Sequence, residues 1–349
     1  MKKITLILFI QCLIISCSKK ENIKKGEDWK FYELNGDVKS ITTKTYILNQ
    51  NDTTKKTIET NLEQSFDKNS NLILERTWLN TGKLVDEKSF FNRNQVIRHQ
   101  QFFSETSTLS TTYKWDSLAN NIESRQVDQT GKQLHKVAQS FNKKMMKEKK
   151  TYHFDDLAKD KVGYIYDKKG NLIEEDFYLN MKAIQYKTLF QYDESNHKIG
   201  ETRLDKDNLI TYKASYKYVD DQLTETNYFD SKGFLQYKQL NKYYEKNLTA
   251  VETSDLALKE NTIDLYEYND EKQKTSYTHI LNGTVTDRYT YQYDKNNNLI
   301  AMNRNDGSEQ NLKEYTYKYN YDKKGNWTKK VAFENNIPIS STERKIQYF

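Results

Sequence analysis

The sequence predicts an all-β chain built from antiparallel hairpin repeats, and three observations carry that prediction. An aromatic anchor, in most copies followed by Asp or Asn, returns every 24 to 28 residues from Phe66 to Tyr348. Residues before each anchor alternate with the period of two that places both rings of Tyr164-Ile165-Tyr166 on one face of a strand. Only one Pro occurs in 349 residues, as befits extended ladders in which a missing N–H is costly.

Composition narrows the class further. Hydrophobic residues make up 36% of the chain, below the roughly 45–50% of an ordinary globular domain. Yet 27 Tyr, 15 Phe and 4 Trp are far more aromatic residues than a disordered chain carries. Both facts fit a fold of thin, aromatic-rich layers.

The N-terminus reads as an address. Lys2 and Lys3 precede an apolar stretch from Ile4 to Ser16, long enough for a secretory leader and too short to span a bilayer. Ile14-Ile15-Ser16-Cys17 resembles a bacterial lipobox, which implies cleavage before Cys17 and lipidation of that residue. Residues 1–16 are then the signal peptide, and residues 17–28 a polar, charged tether. Several acyl chains, at roughly 0.8 kcal/mol per buried CH₂, would hold the protein on a membrane without a spanning helix. Ser18-Lys19-Lys20-Glu21 is similar to the signals that send some lipoproteins to the cell surface. Loss of Lys2 and Lys3 leaves a small, interleaved net positive charge with no basic stripe for nucleic acid. Cys17 would be the only cysteine of the mature chain, which excludes disulfides, thiol nucleophiles and Cys metal sites.

Residues 29–349 form the repeat domain. In Tyr166-Asp167-Lys168-Lys169-Gly170-Asn171-Leu172, the Asp can bond its own backbone two residues on, and Gly170 accepts positive φ. Asn196 and Asn297 fill the same place, as the residue type next best suited to the left-handed region. A second turn follows 13 to 15 residues later, at Gly82, Gly131, Asn208, Gly233, Asn282-Gly283 and Asp306-Gly307. Each repeat is therefore two strands, and about 11 units of about 25 residues give some 22 strands plus earlier and closing ones. A flat sheet of that number would be roughly 105 Å wide, so a curved or spiral meander is expected, with its first and last strands open to another chain. The irregular repeats around Lys150–Gly163 and Lys246–Asp264 are places for loops, or equally decayed repeats.

Tyr166-Asp167-x-x-Gly170-Asn171 and Tyr321-Asp322-x-x-Gly325-Asn326 resemble the YD repeats of RHS-type proteins. Glu33-Leu34-Asn35-Gly36-Asp37-Val38 is similar to the opening of small YD-repeat lipoproteins. The resemblance covers residues 31 to 349 and implies antiparallel strands wound into a spiral sheet.

Catalytic patterns are absent from the sequence: no Gly-x-Ser-x-Gly, His-Glu-x-x-His, P-loop or dinucleotide glycine motif is present. His197 stands where Asn171 and Asn326 stand in other repeats and reads as a turn residue. His153-Phe154-Asp155-Asp156 is the only His beside paired carboxylates. One carboxylate per turn supplies too few oxygens for calcium. No cofactor or metal is expected, and the chain reads as non-enzymatic. Aromatic rings are the remaining signal, with Trp78, Trp115, Tyr228 and Trp327 near turns or strand ends as candidate ligand-binding residues. The expected role is a surface-anchored binding or scaffold lipoprotein of the bacterial outer membrane, taking glycans or envelope proteins as partners. A purely structural or assembly role in the periplasm is the alternative.

Overall fold

The computed structural model describes residues 28–49, 52–104, 106–153, 157–308 and 312–349. Cys17, the segment Ser18–Glu21 and residues 154–156 lie outside them. A single helical turn, α1 (Asp28–Phe31), precedes the strands. The first eight strands are β1 (Val38–Asn49), β2 (Asp52–Phe66), β3 (Leu72–Trp78), β4 (Leu84–Asn92), β5 (Gln95–Ser104), β6 (Ser107–Trp115), β7 (Asn121–Val127) and β8 (Gln133–Asn142). Next come β9 (Met145–His153), β10 (Ala158–Tyr166), β11 (Leu172–Leu179), β12 (Ala183–Tyr192), β13 (Lys198–Asp205), β14 (Ile210–Val219), β15 (Gln222–Asp230) and β16 (Leu235–Tyr244). The chain ends with β17 (Asn247–Asp255), β18 (Glu260–Tyr268), β19 (Lys274–Leu281), β20 (Thr284–Tyr293), β21 (Leu299–Asn305), β22 (Lys313–Tyr321), β23 (Trp327–Glu334) and β24 (Ile337–Tyr348).

Every strand pairs antiparallel with its sequence neighbour, and β1 also pairs antiparallel with β24, from Val38↔Tyr348 to Ile47↔Ser340. The sheet is thus a closed barrel and not the open curved or spiral meander expected. Closure removes the two unpaired edges that an open sheet would present to solvent, so β1 and β24 satisfy each other instead of a second chain. The irregular stretches hold regular strands, β9–β10 with one register shift at Ala158/Asp160 and β17–β18 in continuous register.

The turn chemistry is as the sequence predicts. Asp167 N–H donates to Asn171 O at 2.9 Å and Gly170 N–H to Asp167 O at 3.1 Å, the pattern of a type I turn with a glycine bulge. Gly170 and Gly325 have φ of +88° and +83°, and Asn196 and Asn297 take +68° and +66°. These turns gather at one end of the barrel, called here the anchor end. Two anchors break phase: Phe91 and Tyr244 are 59% and 69% exposed. The bulge that falls at the anchor in other two-residue turns, at Ser140/Phe141 and Lys217/Tyr218, falls one residue earlier here, at Ser89/Phe90 and Lys242/Tyr243, so Phe90 and Tyr243 take the inward place.

The inner face is identified by α1, which packs inside the anchor end against Val38, Ile41, Phe66, Leu72 and Phe90. Alternation then places Tyr164, Tyr216, Tyr266, Tyr291 and Tyr319 inside, with Glu201, Arg203, Asp264, Asp287 and Arg304 among them. Outside, ion pairs across and along the strands cover the wall: Arg76 with Glu63 and Glu87, Lys187 with Glu174 and Asp176, Glu148 with Lys150 and Lys161, and Glu225 with Lys217 and Lys238. The chain exposes 23488 Å², against roughly 15,000 Å² for a compact monomer of 41.6 kDa. That surplus exceeds the about 6,000 Å² that the undescribed residues would add even fully extended. The interior away from α1 is therefore wet, and Tyr228 is 40% exposed although it faces inward.

Candidate functional site: the cleft beside the plug

α1 is a plug set into one side of the anchor-end mouth. Its first residue, Asp28, is buried, and its carboxylate accepts the backbone N–H groups of Leu72 at 2.7 Å and Arg93 at 3.1 Å. Arg93 Nε lies 3.0 Å from the other carboxylate oxygen, and its guanidinium covers Phe31 at 3.9 Å. One carboxylate thereby ties the plug to the β2–β3 and β4–β5 turns. Trp29 Nε1 donates to Val38 O at 3.0 Å, and Tyr32 packs edge-on against Phe66 at 5.8 Å. Burial, then the carboxylates of Glu75 and Asp28, pushes the Tyr32 hydroxyl up to about 12.

The chain leaving the plug is pinned to the other side of the mouth. Asn35 N–H donates to Asn326 Oδ1 at 2.7 Å, and Asn326 Nδ2 returns a bond to Asn35 O at 2.8 Å. Gly36 (φ +75°) follows, with the Lys324 side chain 2.7 Å from where a Cβ would stand. Lys324 Nζ in turn covers the Tyr348 ring at 4.2 Å.

Between this strap and the turns of β20–β23 opens a cleft of about 970 Å³. Trp29, Trp327 and Tyr321 line it with aromatic surface; Asn35, Asn296, Asn297 and Asn298 add polar groups, and Lys30, Glu33 and Lys295 add charge. Apolar faces interleaved with polar groups suit ligands that are amphipathic on the same scale. The Arg344 guanidinium stacks on Trp327 at 3.4 Å, and Tyr319 meets that ring edge-on at 6.3 Å. Burial, then the neighbouring Tyr321, raises the Tyr319 hydroxyl to about 12.

Of the four aromatic residues singled out from sequence, Trp327 lies in this cleft. Trp115 stands inside the same end of the barrel and donates Nε1 to Val96 O at 2.7 Å. Tyr228 is inside near the opposite end, edge-on to Tyr237 at 5.6 Å. Trp78 is on the outer wall, in phase with Arg76. The four do not converge. Sequence reasoning missed Trp29, Asn35 and Arg344, which lie some 290 or more residues from the turns they meet or at the far end of the chain; the similarity at Glu33 to Val38 was the one local signal.

His197 behaves as a turn residue: its N–H and Nδ1 meet the Asp193 carboxylate at 2.9 and 3.0 Å, and its ring stacks on Tyr218 at 4.5 Å. His153 faces His135 across β8–β9 with ring centroids 5.3 Å apart. Among the described residues, no group of three His, Cys, Asp or Glu side chains is placed to hold a metal ion, and no helix is long and apolar enough to cross a membrane.

No protein-family model matches the chain, and no curated protein matches it. Solved structures show loose likeness. The TcdB2-TccC3 structure is 14% identical at a TM-score of 0.32, over 86% of this chain and 19% of its own. A porin-like protein from Bacteroides uniformis is 9% identical at a TM-score of 0.26, over 90% and 99%. One from Bacteroides vulgatus is 10% identical at 0.24, over 54% and 94%. This chain thus spans about a fifth of the length of TcdB2-TccC3. Likeness at this level assigns no family.

Proposed function

We propose that the protein is a non-enzymatic, lipid-anchored binding module of the bacterial outer membrane that takes a glycan in the cleft beside its plug. The observation that carries this reading is the cleft itself, where Trp29, Trp327 and Tyr321 flank four Asn side chains. Sugar rings present C–H faces that stack on aromatics and hydroxyls that amides can satisfy. Supporting the anchored, non-spanning placement, the outer wall carries charge ladders where lipid-facing strands need an apolar band. Leader residues 1–16 and lipidated Cys17 complete the reading.

Two experiments test it. Binding of the soluble repeat domain to a glycan panel, followed by tryptophan emission, is expected to be lost in Trp327→Ala and kept in Trp78→Ala, since Trp78 is on the outer wall. Equal binding by both variants rejects the cleft, and binding of an envelope protein in place of any glycan moves the reading to a scaffold role. Membrane fractionation of Cys17→Ala is expected to release the protein; retention rejects the lipid anchor.

A further inference from the structure

Behind Trp327, the inner face of β23 and β24 holds two half-buried cations that no carboxylate of the described residues meets in an ion pair. Arg344 stacks on Trp327, and its buried Nε has no hydrogen-bond partner among the described residues. Lys330, one strand over and paired through Thr342, lies against the rings of Tyr317 at 4.5 Å and Tyr319 at 5.7 Å. Some cations of this chain are paired, Arg304 with Asp287 at 2.8 Å, Lys198 with Glu201 at 2.8 Å and Arg93 with Asp28 at 3.0 Å, while Arg203 and Lys274 also rest on tyrosine rings. What sets this pair apart is its place directly behind Trp327, a residue that lines the cleft.

Burial pulls the Arg344 guanidinium down to about 10 in spite of the more distant Glu33 carboxylate, and burial together with Arg344 lowers Lys330. The cleft lining adds Lys30 and Lys295 against the single acidic Glu33. Placing two half-buried cations together with no carboxylate in contact lowers stability in the empty protein. Such a cost is characteristic of a site that an anion completes, because the guanidinium fork matches a carboxylate in geometry and charge.

We infer that the cleft selects acidic glycans, with a sugar ring over Trp327 and its carboxylate reaching Arg344 and Lys330. This rests on the glycan reading above and narrows it to uronate-bearing chains. The Trp327 ring has one face toward Arg344, so the same indole orients the guanidinium and borders the cleft.

The test compares tetrasaccharides of galacturonate and of glucuronate with their carboxyl-reduced counterparts, by calorimetry at fixed salt. The expected result is that at least one acidic chain binds ten-fold or more tighter than its reduced partner. Arg344→Gln and Lys330→Gln are each expected to remove most of that difference, while Arg344→Lys retains part of it. Melting temperature and circular dichroism verify that each variant is folded, and Lys330→Gln stands in if Arg344→Gln does not fold. Equal binding of acidic and reduced chains, both lost in Trp327→Ala, overturns the acidic selection and leaves the glycan reading in place. Acidic binding that is indifferent to both cations overturns the assignment to this site. Failure of every glycan to bind overturns both readings.

Discussion

Tyr348 donates its phenolic hydrogen to the carboxylate of Asp322, a residue of the preceding repeat, and accepts a hydrogen bond from Asn326 Nδ2 at 2.7 Å. The relation recurs one unit earlier, where Tyr321 donates to Asp294 at 3.0 Å and accepts from Asn298 at 2.8 Å. In these copies, Tyr and Asp that are adjacent in sequence serve different bonds: each Tyr latches the turn before it, and each Asp is latched by the Tyr after it. The same carboxylates hold their own turns, as Asp322 does with the N–H groups of Lys324 and Asn326 at 2.9 and 3.0 Å. Here the spacing of the repeat is the spacing of neighbouring hairpins at the mouth.

Removing a latch hydroxyl is expected to destabilise the barrel. Tyr348→Phe and Tyr321→Phe should each cost about 1–2 kcal/mol, the range for a hydrogen bond to a charged group that remains partly solvated. Tyr244→Phe, at an exposed anchor, should cost under about 0.5 kcal/mol. Urea denaturation measures the difference, and equal losses at Tyr348 and Tyr244 would refute the latch.

The plug depends on one carboxylate. Asp28→Ala leaves Arg93 without its counter-charge and two N–H groups without an acceptor, a loss of about 3–5 kcal/mol for a broken buried pair. Amide exchange across Trp29 to Leu34 is the readout. Unchanged protection there would mean that apolar packing alone seats the plug.

Closure carries its own prediction. A chain ending at Asn336 lacks β24 and exposes the edges of both β1 and β23. Such edges pair with other chains, so the truncated protein is expected to self-associate in sizing experiments while the full repeat domain remains monodisperse. A monodisperse truncation would count against closure by β1–β24.

Alkaline titration reports the inner face. Burial, ahead of neighbouring charges, raises the hydroxyls of Tyr164, Tyr291 and Tyr319 to about 12. A raised folded value means the stabilisation is complete below the unfolded value near 10 and is lost as pH climbs toward 12. Absorbance at about 295 nm should therefore rise in two stages, exposed phenols first and the remainder with unfolding. A single stage centred near 10 with the fold intact would contradict it.

Acid should act on the turns. Backbone N–H donation from Asn120, Asn171 and His197 holds Asp116, Asp167 and Asp193 below the ordinary aspartate range. Their contribution is present above the unfolded value near 3.9 and disappears as pH falls below it. Carboxylate chemical shifts followed from pH 6 to 2 should place the midpoints of these groups below the ordinary aspartate value near 3.9; midpoints at that value would refute the turn bonds.

What the sequence determined by itself is local. Alternation of Tyr164 and Tyr166, Asp at the turn and Gly or Asn three positions on specify a strand, a bend and a return, because each is set by the backbone preferences of a few adjacent residues. The spacing of anchors was likewise enough to count the hairpins, and Trp327 could be marked by its place beside a turn. Even locally the reading slipped at Phe91 and Tyr244, where the residue that meets the bulge and faces inward is the one before, Phe90 and Tyr243. Tertiary structure decided the rest. Whether β1 meets β24 depends on twist and tilt summed over the whole sheet, a quantity that no residue carries. The plug was invisible for a related reason: Asp28 looks like the end of a charged tether until Leu72, Arg93 and Asn326, distant in sequence, surround the segment. The cleft and the unpaired Arg344 and Lys330 exist only because closure brings both ends of the chain to one mouth.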